Sequence, residues 1–227
     1  RSSDLDLKNP IIPTFLKTYT NPFALGSNYA VHDMYVRNDT GFLSESFYGY
    51  SIVDFKPNIP VEIGTMPQYS YKGYNHSSWI NKNNLGVMAD ETHGSPLKVI
   101  DVTDVSQPKV LSTFIPRNDT TCIPHNPYVI DDLVFISYYF DGFQLYSIKD
   151  PSQAKQLAYF PTCHAIPYKG FAGAWGCYPF FKNGKILVSD MQNGLFVIDA
   201  FAFTKDVYTQ KHAIQIVPNP FQQTFRI

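Results

Sequence analysis

The chain has 227 residues, a formal net charge of −1 and only 16% charged residues, against roughly 25% in an ordinary soluble domain. No run of Lys or Arg is present, so nothing points to nucleic acid or an anionic membrane as an electrostatic partner. No apolar run approaches the ~18 residues of a transmembrane segment.

In chain order, residues 1–19 read as the outer end of one strand-rich unit, with Leu5-Asp6 closing a strand and Lys8-Asn9-Pro10 turning the chain. Four similar units follow, over 28–69, 72–116, 120–161 and 170–213. Each opens on a shared landmark: His32, His76, His125 and, in the last unit, Trp175. After 13, 14, 13 and 15 residues comes a second landmark at the end of a short apolar strand: Glu45, Asp90, Tyr138 and Asp190. The interval holds two strands and a turn. A glycine follows four residues later (Gly49, Gly94, Gly142, Gly194), where a tight connection calls for positive φ. The third strand of each unit ends at Asp54, Asp101, Ser147 and Asp199. Counted from Asp6, these ends are 48, 47, 46 and 52 residues apart. Fourth strands are expected at Val61–Thr65, Val110–Ile115 and Gln156–Phe160, and helical periodicity is confined to Ala200–Lys205.

Four antiparallel strands in a period of about 47 residues predict an all-β fold, a β-propeller of four-stranded blades. A β-sandwich would need three landmarks to recur in matching order by accident. Propellers commonly close with more than four blades, so residues 1–213 are expected to be a portion of a larger propeller, truncated on its N-terminal side, with 214–227 outside it.

The repeat resembles the LVIVD-repeat proteins of the choice-of-anchor B group. The resemblance is carried by His32-Asp33, His76 to Trp79, Asp90-Glu91-Thr92, His125-Asn126, Ser137-Tyr138-Tyr139 with Asp141-Gly142, and Phe171 to Gly176. It ends with Ile186 to Asp190 and Gly194 to Val197. It implies a bacterial surface or secreted propeller of poorly defined activity. Ser147 and Trp175 depart from the repeat's usual Asp and His. At the C-terminus, Val217-Pro218-Asn219-Pro220-Phe221 followed by Thr224 to Ile227 resembles the opening of a type A sorting domain of type IX secretion. That implies export through the secretion machinery, although such domains usually begin with Tyr where Val217 stands.

In a hairpin, the start of the first strand and the end of the second share an edge. His32, His76, His125 and Trp175 are therefore expected to ring one mouth of the central channel with Glu45, Asp90, Tyr138 and Asp190. Such a rim would bind a protein, a glycan or a small polar ligand. The alternative function is a metal-dependent hydrolase or lyase, with a divalent metal on His32, His76 and His125 and Asp90 or Glu91 as base. Against both stands a structural reading in which each landmark caps its own blade. No HExxH, calcium-loop, P-loop or dinucleotide pattern is present, and His93-Gly94-Ser95 lacks a nucleophile-elbow context. The aromatic clusters Tyr69, Tyr71, Tyr74 and Tyr138, Tyr139, Phe140 read as packing between blades or as a binding surface. Of Cys122, Cys163 and Cys177, the first two could bridge and staple the third blade; three buried thiols are the other option.

Overall fold

The structure is a computed structural model that describes residues 2–23, 30–116, 121, 123–166 and 170–199. The expectations for Cys122, for Ala200–Lys205, for the end of the fourth unit and for 214–227 lie outside the described residues.

The first pair of strands, β1 (Ser2–Asp6) and β2 (Thr14–Tyr19), forms a two-stranded sheet. Blade one is β3 (Asp33–Arg37), β4 (Thr40–Glu45), β5 (Gly49–Asp54) and β6 (Val61–Met66). Blade two is β7 (Asn75–Ile80), β8 (Leu85–Asp90), β9 (Leu97–Asp101) and β10 (Lys109–Phe114). Blade three is β11 (Pro127–Ile130), β12 (Leu133–Ser137), β13 (Phe143–Ser147) and β14 (Lys155–Phe160). Blade four shows β15 (Ala174–Tyr178), β16 (Lys185–Asp190) and β17 (Gly194–Asp199). Every sheet is an antiparallel meander in chain order. The first strands of blades one, two and three touch in series, as inner strands must.

The aspartate that closes each third strand has a local task. Asp6, Asp54 and Asp101 each accept, through Oδ1, the N–H two residues on, at 2.8, 2.8 and 2.9 Å. Ser147 does the same with its hydroxyl at 3.2 Å. A side chain that mimics a backbone turn ends the strand and starts the loop. The outer strand pairs also share a bulge one to two residues before that position: Ile52/Val53 in blade one, opposite Val110/Ser112 in blade two, and Leu145/Tyr146 in blade three. The β1–β2 pair is bulged at Asp4/Leu5, in the same place relative to Asp6. It is therefore the outer half of a further blade. It packs on blade one through Tyr19, whose hydroxyl donates to Glu62 at 3.0 Å, and Lys17, which caps the Phe55 carbonyl at 2.6 Å.

Cores lie between blades. Val87, Val99, Val134 and Ile136 join blades two and three, and Phe135, Phe143, Ile186 and Val188 join blades three and four. In blade two the inner and middle strands are buried on both faces, whereas the outer strand β10 alternates exposed and half-buried residues.

Candidate functional site at the mouth

The first landmark is aimed by a backbone irregularity. In β7, Asn75 pairs with Asp90 and Ser77 with Ala89, leaving His76 as the extra residue of a bulge. Trp175 is the extra residue of β15 in the same way, between Ala174 and Gly176. His32 and His125 lie just ahead of their strands, and their N–H groups donate to the Ser44 and Ser137 carbonyls at 2.8 and 3.1 Å. A bulge re-aims a side chain that regular pleating would send elsewhere.

The result is one row of rings. His32 and His76 are 4.0 Å apart, His76 and His125 4.2 Å, and His125 and Trp175 5.5 Å. Three residues further along in blades one to three lies a second row, joined by Phe180 from beyond β15 of blade four. Tyr35, Trp79 and Tyr128 follow one another at 4.5 and 4.9 Å, and Phe180 meets both Trp79 and Tyr128 at 5.4 and 5.3 Å. Two rows of rings thus follow the inner strands, one at the mouth and one further along the strands.

Glu91, the residue after β8, turns into the row. One carboxylate oxygen is 3.6 Å from His76 Nε2 and the other 3.7 Å from His125 Nε2. Tyr139, from blade three, donates its hydroxyl to the same carboxylate at 2.5 Å. One donor atom each from His76, Glu91 and His125 falls within 4.8 Å of the others. Both histidines are almost fully buried, at 4% and 5% exposure, while the Glu91 side chain is 18% exposed.

Electrostatics follows from that burial. Desolvation, then the neighbouring imidazoles, pushes His76 down to about 2. Desolvation pushes His125 down to about 4, although its bond to the Trp175 carbonyl opposes the shift. Both rings are neutral at neutral pH. His125 Nδ1 donates to the Trp175 carbonyl, so its Nε2 faces Glu91 with a lone pair. His76 Nδ1 is buried and has no hydrogen-bond partner. Tyr139 is raised well above its ordinary value by burial and by the adjacent carboxylate, so it stays a donor.

His32 differs from its two counterparts. It is exposed, and its Nδ1 meets the His76 carbonyl at 3.2 Å. Of the three histidines expected as a metal set, His76 and His125 fall together with Glu91, rather than with His32, in a group of potential donor atoms.

The second landmark does not line the mouth. Glu45 is buried and accepts from Asn21 at 2.7 Å and Ser51 at 2.6 Å. Asp90 is buried against Lys98 at 3.1 Å and also accepts from Tyr69 and the Gly73 N–H, at 2.9 and 2.6 Å. Asp190 accepts from Thr162 at 2.6 Å and from the Gln192 and Asn193 N–H groups at 2.9 and 2.8 Å. Each acid therefore ties down the segment that precedes its own blade. Tyr138 is fully buried and donates to the Ser95 carbonyl of blade two at 2.9 Å. Asp90 is taken up by Lys98, which leaves Glu91 as the acid at the mouth.

The remaining candidates divide similarly. Tyr69 serves Asp90, Tyr139 serves Glu91, Phe140 is buried, and Tyr74 meets His32 edge-on at 5.4 Å. Tyr71 is exposed. Ser95 accepts from Lys98 at 2.7 Å and is no nucleophile. Cys163 and Cys177 are buried free thiols, so Cys163 forms no bridge; Cys122 lies outside the described residues. Burial raises the Cys177 thiol.

Comparison with family models and with curated proteins finds no match for this sequence. Solved structures do resemble it. The WD40 β-propeller domain of Doa1 aligns over 78% of this chain with a TM-score of 0.53 and 11% identity. The chain spans about half of that protein, 54% of its length. The computationally designed Ika4 protein aligns over 76% of this chain and 92% of its own, with a TM-score of 0.51 and 9% identity. A protein of unknown function from Bacteroides thetaiotaomicron aligns over 77% of this chain and 43% of its own, with a TM-score of 0.50 and 10% identity. At such identities the likeness speaks for architecture, and with the repeated four-stranded meanders it establishes the fold as a β-propeller.

Proposed function

We propose that this chain is a non-catalytic binding propeller of the bacterial surface or exterior, related to the LVIVD-repeat proteins, that takes a polar ligand at the mouth. One observation carries the reading: His76 and Glu91 from blade two converge with His125 and Tyr139 from blade three on one point. Burying two imidazoles beside a carboxylate costs free energy that an apolar core would not incur. A scaffold that only had to fold gains nothing from it. Trp175 and Phe171, about half exposed, stand beside the cluster and offer flat apolar faces of the kind that sugar rings cover. The C-terminal resemblance to a sorting domain supports export.

Screening the full chain on a glycan array, beside Glu91→Gln and Trp175→Ala, tests this reading. The expected result is binding by the wild type that falls at least ~10-fold in either variant, the loss of about one good polar or stacking contact. Unchanged binding by Glu91→Gln overturns the assignment to the mouth. The metal-dependent hydrolase or lyase is favoured by one observation, the placement of Glu91 between two neutral imidazoles. Turnover of activated esters that disappears in Glu91→Gln would support it.

A further inference from the structure

We infer that His76 Nε2, His125 Nε2 and the Glu91 carboxylate form a site for one first-row divalent cation of the zinc class, held across the boundary between blades two and three. The inference rests on the mouth being the binding site and names what occupies its centre.

The three donors come from two blades and meet without a hydrogen bond among them. At 3.6 and 3.7 Å the carboxylate oxygens are too far from the imidazole nitrogens to accept a proper hydrogen bond. They are close to the separation that one ion imposes. Metal–ligand distances of about 2.0–2.1 Å in a tetrahedral arrangement place donors roughly 3.3–3.4 Å apart. The 4.8 Å limit on the whole set means that small rotations of these side chains suffice.

The tautomers point the same way. The His125 Nδ1–H is committed to the Trp175 carbonyl, so Nε2 presents a lone pair to a carboxylate oxygen. Two electron-rich atoms facing each other in a poorly solvated pocket repel unless a positive charge lies between them. A carbonyl on the far nitrogen is also what orients a metal-binding histidine, and a hydroxyl on the carboxylate, here Tyr139, is a common outer partner. His76 Nδ1 lacks any protein partner, so ligation through its Nε2 would place the ring proton on a nitrogen without a protein acceptor.

Donor chemistry selects the ion. Two imidazoles and one carboxylate suit zinc and its neighbours, whereas calcium and magnesium require oxygen ligands throughout. Three protein donors leave at least one coordination position for water or for an oxygen atom of a ligand.

The test uses the full chain, stripped with chelator and dialysed against buffered Zn(II), with metal counted per chain and Co(II) substituted for its visible spectrum. The expected result is one ion per chain, with affinity lowered ~100-fold or more in Glu91→Gln and His125→Gln and ~10-fold in Tyr139→Phe. His164→Gln, an exposed histidine remote in sequence from the set, should leave it unchanged. Circular dichroism of the metal-free variants separates lost ligands from lost fold; if His125→Gln unfolds, Glu91→Gln decides. Absence of stoichiometric Zn(II), or equal retention by wild type and Glu91→Gln, overturns the inference. Glycan binding that survives chelation would leave the binding reading standing without the metal. Stoichiometric Zn(II) with no ligand on the array would do the reverse.

Discussion

Blades two and four carry the same landmarks and put them to different use. In blade two, His76 is enclosed between His32 and His125, and Asp90 is sealed against Lys98 with neither side chain exposed. In blade four, Trp175 ends the row of rings at 54% exposure, and Asp190 caps its own hairpin turn. Repeat position fixes where a residue stands along its strand. The neighbouring blade decides whether it becomes a buried charge, a cap or an open face.

Substituting the two acids sharpens that difference most. Asp90→Asn leaves Lys98 buried without its counter-charge and should cost about 3–5 kcal/mol in urea unfolding. Asp190→Asn removes a charge from hydrogen bonds at a turn and should cost only about 1–2 kcal/mol. Adding Lys98→Met to Asp90→Asn should recover most of the first loss, since the unpaired charge goes with it. Equal costs for the two single substitutions would show that burial of the Asp90 pair has been overvalued.

A smaller contrast lies in the glycines that follow. A Cβ at Gly142 of blade three would sit 2.2 Å from the Phe160 carbonyl oxygen, whereas at Gly194 of blade four it meets nothing within 4 Å. Both have positive φ, 70° and 82°. Alanine at Gly194 should therefore cost only the left-handed strain of about 1–2 kcal/mol. At Gly142 overpacking against the backbone adds about 1–3 kcal/mol more, measurable by denaturant midpoint at constant m-value.

The smallest effect is in pH. Folding lowers His76 to about 2 and His125 to about 4, below the ordinary imidazole value near 6.5. As the solution is acidified through ~6.5, the unfolded chain takes up protons that these folded rings refuse. Their contribution is complete above ~6.5 and is lost as pH falls toward the folded values. Between pH ~6.5 and ~5 the metal-free protein should lose about 1.5 kcal/mol per histidine, and His125→Gln should flatten that limb. Trp175→His, at an exposed position, should add no further slope.

The sequence carried the repeat, and with it the blade boundaries and the inner strands, because turns and strand ends recur at fixed intervals. It was less informative about the mouth, and Asp90 and Glu91 show why. Successive residues of a strand point to opposite faces, so one step separates a sealed ion pair from the centre of the site. Spacing locates both residues and cannot tell which of them faces inward. One signal was available: the position after the second landmark is Ser46, Tyr139 or Met191 in the other units and an acid only at Glu91. A departure from the repeat marked the residue better than agreement with it. The bulges that aim His76 and Trp175 leave no comparable trace, because any residue can be the extra one.

The ring row also gives the protein an optical property. Of its two tryptophans, Trp79 belongs to the second row of rings, and Trp175 lies open to solvent against His125. The red part of the emission therefore belongs to Trp175, whose excited indole is next to an imidazole nitrogen bound to its own backbone carbonyl. A change in the charge or mobility of His125 should therefore alter quenching of Trp175 first, since Trp79 is packed instead among Tyr35, Tyr128 and Phe180.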